Sequence, residues 1–199
     1  MAADIVWVTV SDFNVVRLRE IFKAHEIPDI DICLTDAESI VSAANGYIDA
    51  GAKTVIARGG IFMTLKSALR VPVVEVKYSF LDFYEPVQKG FAVSGKVALI
   101  GWYDQIKDIK KYRHFLNEKL IFFDISEESY LDVEKYKEAI YSLKGQGVGA
   151  VIGGNPVCEI AESVGMSAFY VQINEASILD AVEEARYRLK IATEEAMRF

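Results

Sequence analysis

Cysteine and histidine are scarce in this chain, and the few present are scattered. Cys33 and Cys158 have no C-x-x-C spacing, and His25 and His114 stand alone. No metal site follows from that set. Positive charge is short as well: 22 lysines and arginines face 29 acids, giving a formal net charge of −7 and a pI near 5.0. That balance argues against non-specific binding to nucleic acid. An anionic ligand would have to be met by local donors, such as Arg58 and helix N-termini. No apolar run approaches the length of a membrane span, and no signal-peptide pattern opens the chain. The simplest setting is a reducing cytoplasm, with no membrane partner. Also missing are a G-x-G-x-x-G, a P-loop, a Ser-His-Asp set and paired carboxylates. No cofactor is expected, and binding is favoured over catalysis.

What the chain has is apolar material, 52% of its 199 residues. That suffices for a sizeable core and gives no sign of disorder. The length fits one large domain or two small ones. One stretch organises the rest: Thr54–Gly60, read T-V-I-A-R-G-G. Val55 to Ala57 form an unalternating apolar run, as in a parallel strand covered on both faces. The run breaks at Arg58-Gly59-Gly60, and a helical pattern follows from Ile61. Paired glycines at a strand end expose backbone N–H groups without a Cβ in the way. The arginine adds a fork of donors suited to carboxylate or phosphate.

The same rhythm returns at Gly147–Pro156, which repeats Gly51–Gly60 and ends in Gly153-Gly154-Asn155. Each copy follows a helix, leads into another, and is trailed by a further apolar strand. The offset is about half the chain, which reads as an internal duplication of one α/β unit. Two like halves with glycine-rich strand ends suggest a ligand held in a cleft between them.

In order, the pattern predicts a strand over Asp4–Val10, with Ser11-Asp12 as exit and helix cap. A helix over Phe13–His25 places Val16, Ile21 and Phe22 on one side. A strand over Asp29–Leu34 follows, then a helix capped by Thr35 or Asp36 with Ile40, Val41, Ala44 and Ile48 on one face. After the Thr54–Gly60 corner come a short helix, Phe62–Leu69, and a strand at Val73–Val76. Ser79 caps an aromatic-rich helix over Phe80–Phe91. Its aromatics either pack between the halves or line the cleft, with Ser79 and Asp82 as polar contacts.

The second half predicts a strand over Lys96–Gly101, ended by Gly101-Trp102-Tyr103-Asp104. One helix over Gln105–Leu116 carries a solvated basic face. A strand over Lys119–Ile125, a helix over Glu127–Lys144, the second corner, a helix over Val157–Val164 and a strand over Ala168–Ile173 complete the alternation of a parallel sheet. A last helix, Glu175–Met197, has an apolar stripe of Ile178, Val182, Ala185, Leu189 and Ala192. It meets no glycine or proline stop, so the chain is expected to link to a longer protein.

R-G-G after an apolar strand, P-V-V-E-V after its helix, then S-x-x-D and later V-x-G-G-N resemble the N-terminal receptor domain of the propionate catabolism activator family. Those domains sit at the front of sigma-54-dependent transcriptional regulators. The resemblance covers nearly the whole chain, best over Val55–Asp82 and Val97–Tyr170. It implies an α/β fold of two parallel four-stranded α/β/α lobes in tandem duplication, chelatase-like or periplasmic-binding-protein-like. Residues 1–78 plus 175–199 would form the first lobe with a returning C-terminal helix, and 79–174 the second. It implies a small carboxylate effector, 2-methylcitrate-like, controlling an attached AAA+ ATPase. DNA, ATP and sigma-54 RNA polymerase would be engaged only through domains outside this chain, and a homo-oligomer is expected. Carried over by motif, the ligand-binding positions are Arg58, Gly59, Gly60, Ser79, Asp82, Gly153 and Gly154; Gly101, Trp102, Asn155 and Ser11 join them as strand-end residues. Ile61 and Phe80 depart from the pattern, which has a small hydroxyl residue and a glycine there. The change favours a smaller or less polar ligand.

Plainer readings stand beside these. Arg58 would equally serve as a structural partner of Glu75 or Asp82. The glycines would serve tight turns, Ser11 a plain helix cap, Trp102 a packing surface, and the cysteines the core. An enzyme of the cofactor-independent racemase type is the competing class. Its paired thiols are not superposed by the repeat, since Cys33 follows a second strand and Cys158 a third.

Overall fold

Eight apolar runs form eight strands in the computed structural model, which describes residues 3–126 and 132–198. The chain divides into two compact units. Unit 1 comprises Met1–Lys77 and Glu175–Phe199, and unit 2 comprises Tyr78–Asn174.

Unit 1 holds β1 (Ile5–Thr9), β2 (Ile30–Leu34), β3 (Thr54–Ala57) and β4 (Val73–Glu75), all parallel in the order β2-β1-β3-β4. β1 and β3 are buried at every position, as unalternating runs require. One face is covered by α2 (Ile40–Asp49) and α3 (Gly59–Leu65), through Ile40, Ala44, Ile48 and Leu65. The unit also holds α1 (Asp12–Ala24) and α9 (Glu175–Arg198). α1 buries Val15, Leu18, Ile21 and Phe22, and the Phe22 ring meets Trp7 edge-on at 6.2 Å. α9 packs against β3 and β4 through Ile178, Ala181, Val182 and Ala185.

Unit 2 repeats the plan with β5 (Val97–Trp102), β6 (Ile121–Ile125), β7 (Ala150–Gly153) and β8 (Ser167–Tyr170) in the order β6-β5-β7-β8. α7 (Val133–Gly145) and α8 (Asn155–Ser163) cover one face, and α4 (Phe80–Val93), α5 (Tyr103–Lys110) and α6 (Arg113–Leu116) the other.

Pro86 lies inside α4. Having no N–H, it leaves the Asp82 carbonyl without its helical donor. The Gln172 N–H fills that vacancy at 3.1 Å.

Several boundaries differ from the sequence-based expectation. Val16 is 56% exposed and Val15 takes the core position, because Val15 lies three and seven residues before Leu18 and Phe22 on the buried stripe of α1. The basic helix breaks at Lys111-Tyr112, where i to i+3 hydrogen bonds close α5 before α6 begins. Its lysines are paired: Lys107 with Asp104, Lys110 with Asp124 and Lys111 with Asp108. α3 starts on the glycines themselves, with Arg58 as N-cap. The α9 stripe is buried through Ala185, half-buried at Leu189 and exposed at Ala192. The expected helix start at Glu127 lies outside the described residues.

Candidate functional site

In each sheet the chain leaves the inner strand first to one side and later returns on the other. The order therefore reverses between β1 and β3, and between β5 and β7. A doubly wound sheet opens a crevice at such a point, at the carboxyl ends of its strands. Ser11 follows β1, while Arg58, Gly59 and Gly60 follow β3. Gly101 and Trp102 end β5, while Gly153, Gly154 and Asn155 lie at the end of β7. Nine of the eleven sequence-predicted residues thus fall at two equivalent places, one in each unit.

The strand pairings align the two places residue by residue. Ile5 pairs with Thr54 as Val97 pairs with Ala150. The flanking backbone bonds agree, since Lys53 donates to Asp4 as Gly149 donates to Lys96. Thr9 then corresponds to Gly101, Arg58 to Gly154, and Gly59 to Asn155. The two glycine pairs do not superpose. Gly59 and Gly60 are the first residues of α3, whereas Gly153 ends β7 and Gly154 caps α8. Unit 1 has a guanidinium where unit 2 has no side chain.

In unit 1, Gly59 is buried with φ at +59°, a conformation that favours glycine. Half-buried Arg58 is thereby held at the lip of β3. Ser11 is the N-cap of α1 and accepts from the Asn14 N–H at 3.4 Å. Beside it, the buried Thr9 hydroxyl accepts from the Ser11 N–H at 3.3 Å and from Asn14 Nδ2 at 3.5 Å. This corner is polar, cationic and well hydrogen-bonded.

In unit 2 the glycines have different reasons. A Cβ at Gly153 would stand 2.7 Å from Val157, so glycine there lets α8 approach β7. A Cβ at Gly154 would meet nothing within 4 Å, and its φ of −79° strains no residue. Packing does not demand glycine at position 154. Asn155, first in α8, donates to Glu159 at 3.4 Å. Trp102 is buried, its ring edge-on to Tyr78 at 6.4 Å. Burial pushes the Tyr136 phenol up to about 12, with the Tyr78 phenol adding to the effect.

Gln105 is a residue the sequence reading passed over as a helix start. It is buried on the first turn of α5, and its carboxamide fills the space a Cβ at Gly101 would take.

Ser79 and Asp82 sit elsewhere, at the start of α4. The Asp82 carboxylate is fully buried and accepts from the Ser79 N–H (2.9 Å), the Asn174 N–H (2.8 Å) and Asn174 Nδ2 (2.9 Å). Asn174 Nδ2 also reaches the Ser79 hydroxyl at 2.6 Å. These donors join α4 to the end of unit 2 and occupy the carboxylate. The two residues form an internal clamp, with no sequence neighbour to announce Asn174.

Both thiols lie in the core. Burial raises Cys33, and pushes Cys158 up to about 12 while its Sγ stands 3.6 Å from the Gly153 carbonyl. Such thiols stay protonated at neutral pH, unlike the activated thiolates of racemase chemistry. Among the described residues no three histidines, cysteines or acids gather as a metal set. Among the described residues no helix is long and apolar enough to cross a membrane. An open groove of about 630 Å³ between α1 and β2, lined by Arg19, Phe22 and Pro28 among others, lies at the amino end of β2, away from the strand ends above.

A family model described as propionate catabolism activator matches residues 25–195. Among solved structures, an NtrC family transcriptional regulator from Clostridium acetobutylicum superposes with a TM-score of 0.76 at 18% identity, over 96% of this chain and 99% of that one. A conserved domain protein from Vibrio cholerae gives 0.51 at 10% identity, over 96% and 85%. An aspartate racemase homologue from Pyrococcus horikoshii gives only 0.38 at 14% identity, over 94% and 100%. The likeness to the first two is one of fold.

Proposed function

The chain belongs to the propionate catabolism activator family, and on that premise we propose that it is the ligand-sensing domain of a sigma-54-dependent transcriptional regulator. Its effector is a small organic acid, a carboxylate of the 2-methylcitrate type or smaller. Ligand occupancy controls an attached AAA+ ATPase in the cytoplasm. DNA, ATP and sigma-54 RNA polymerase meet other domains of the regulator, which acts as a homo-oligomer.

The observation that supports this reading best is the pair of equivalent strand-end corners, one carrying Arg58 and the other an open Gly154. A guanidinium offers a carboxylate two parallel bonds. A bare backbone at a helix start admits an oxygen close to its N–H groups. Gly59, Gly60, Ser11 and Asn155 flank these groups.

α9 packs on β3, the strand that leads into Arg58, and so provides a route for the signal within unit 1. The ligand moves α9 only through its differential affinity for two states of the protein.

A thermal-shift series with propionate, citrate and 2-methylcitrate tests the proposal. An acid present at about 100 times its dissociation constant adds roughly 2.7 kcal/mol of stability. A melting temperature that ignores all three acids contradicts the organic-acid reading. Hydrogen exchange across Glu175–Arg198, with and without the active acid, tests the route, and unchanged protection there excludes α9.

A further inference from the structure

The chain passes between the two units twice, at Lys77–Tyr78 and at Asn174–Glu175. Little of it is loose at either place. Val76 is still bonded into unit 1, its N–H donating to the Ala57 carbonyl at 2.9 Å, and Ser79 already caps α4. On the return, Asn174 is followed at once by Glu175, the first residue of α9. Any movement of one unit against the other must be absorbed by the torsions of Lys77, Tyr78 and the Asn174–Glu175 junction.

Inside unit 2 the two passages are tied to each other, and Asp82 does the tying. Its fully buried carboxylate accepts from the Ser79 N–H at 2.9 Å on the outgoing passage and from the Asn174 N–H at 2.8 Å on the returning one. Asn174 Nδ2 spans the same pair, donating to Asp82 at 2.9 Å and to the Ser79 hydroxyl at 2.6 Å. The main chain adds a further bond. Pro86 has no N–H to give the Asp82 carbonyl, and the Gln172 N–H takes its place at 3.1 Å. Asp82 thus holds the returning passage with both its side chain and its carbonyl. Breaking one of these bonds leaves buried polar groups poorly met, so the network opens as a whole or stays closed.

The helices that start here have exchanged units. α4 follows the last strand of unit 1 and packs on β7 and β8, whereas α9 follows the last strand of unit 2 and packs on β3 and β4. Ser79 and Asn174 are the residues immediately before these helices, and they bond to each other.

We infer that Ser79, Asp82 and Asn174 form a hinge clamp: they keep the unit-2 ends of the two passages at a fixed separation, so that both turn as one pivot. Untied passages would slide and twist independently. The start of α9 is fixed at the same point, so movement about the pivot reaches its first turn directly. The clamp belongs to the ligand-free chain and does not depend on which acid is bound.

Ser67→Cys in unit 1 and Ser142→Cys in unit 2 place one exposed thiol on each unit for spin labels, while Cys33 and Cys158 are buried. Pulsed electron–electron resonance on the ligand-free 199-residue chain then reads the distribution of distances between the labels. Asn174→Ala removes both Nδ2 bonds and keeps the main-chain one, and Asp82→Asn removes the charged acceptor at nearly constant volume. Ile140→Val, in the core of unit 2, serves as a destabilised control with the clamp intact. The distribution should widen about twofold or more in Asn174→Ala, further in Asp82→Asn, and not at all in Ile140→Val. A wild-type width in either folded clamp variant overturns the inference. Equal widening in Ile140→Val overturns it too, by making the effect one of general stability. Should Asp82→Asn fail to fold, Asn174→Ala decides alone.

Discussion

The two units share strand order and register, but each holds differently the helix that packs on its third and fourth strands, α9 in unit 1 and α4 in unit 2. In unit 2, α4 is tied down by a buried carboxylate with three N–H donors, and the Pro86 gap is closed by Gln172. In unit 1, α9 is tied by exposed pairs, His25 with Glu175 at 2.5 Å and Arg186 with Asp29. Buried, charge-assisted bonds fix a geometry, whereas exposed ion pairs contribute little and exchange readily with water. Unit 2 holds the start of α4 through a buried polar clamp, whereas unit 1 holds α9 through buried Ile178, Ala181, Val182 and Ala185, with polar pairs only at its surface. The same division appears at the strand ends. Unit 1 offers the charged side chain of Arg58 beside a left-handed glycine, and unit 2 offers open backbone at Gly154.

The largest effect should come from the clamp. Asp82→Ala removes the buried acceptor of three half-buried N–H donors and should lower stability by about 3 kcal/mol or more, read from urea unfolding. A loss below about 1 kcal/mol would erase the contrast between the helices. The glycines sharpen it next. Gly153→Ala collides with Val157 and should cost roughly 1–3 kcal/mol. Gly154→Ala should change stability by less than about 0.5 kcal/mol while weakening carboxylate binding. Equal destabilisation by both would return Gly154 to a purely structural role.

The thiols offer a chemical check. With Cys158 pushed up to about 12 and Cys33 also raised, iodoacetamide at neutral pH should label neither in the folded chain and both in urea. Rapid native labelling would reopen thiol chemistry.

The smallest effect concerns α9. Arg186 beside Asp29 holds that carboxyl below the usual carboxylate range. A depressed folded pKa gives stability above the unfolded value, lost as the pH falls through the folded one. Both side chains are more than two-fifths exposed, so Arg186→Ala should cost only ~0.3–1 kcal/mol at neutral pH. The gap from wild type should narrow below about pH 4. A gap that widens in acid would mean that Arg186 acts through some other partner.

Much of the fold was legible because buried parallel strands leave unbroken apolar runs, as in Ile5–Thr9 and Val97–Trp102. The duplication was legible from one repeated decapeptide. The phase of α1 was not, since Val15 and Val16 are adjacent and equally apolar. The break at Lys111-Tyr112 has no glycine or proline to mark it. The start of α3 was obscured because glycine in a left-handed conformation is a poor sequence signal for a first helical residue.

At the site, the strand ends were readable, but the use of each residue depended on distant partners. Asp82 meets Asn174 across 92 positions, and no local pattern joins them. Gln105 becomes notable only once Gly101 is seen beneath it; the spacing G-x-x-x-Q at a strand exit was the available clue.

Calorimetric titration of wild type and Arg58→Ala with the same three acids tests the central claim most directly. The wild-type chain should bind at least one acid, and Arg58→Ala should weaken that binding by about 1.5–3 kcal/mol while remaining folded. Heats indistinguishable from dilution for the wild type, or equal affinities in the two proteins, would contradict it.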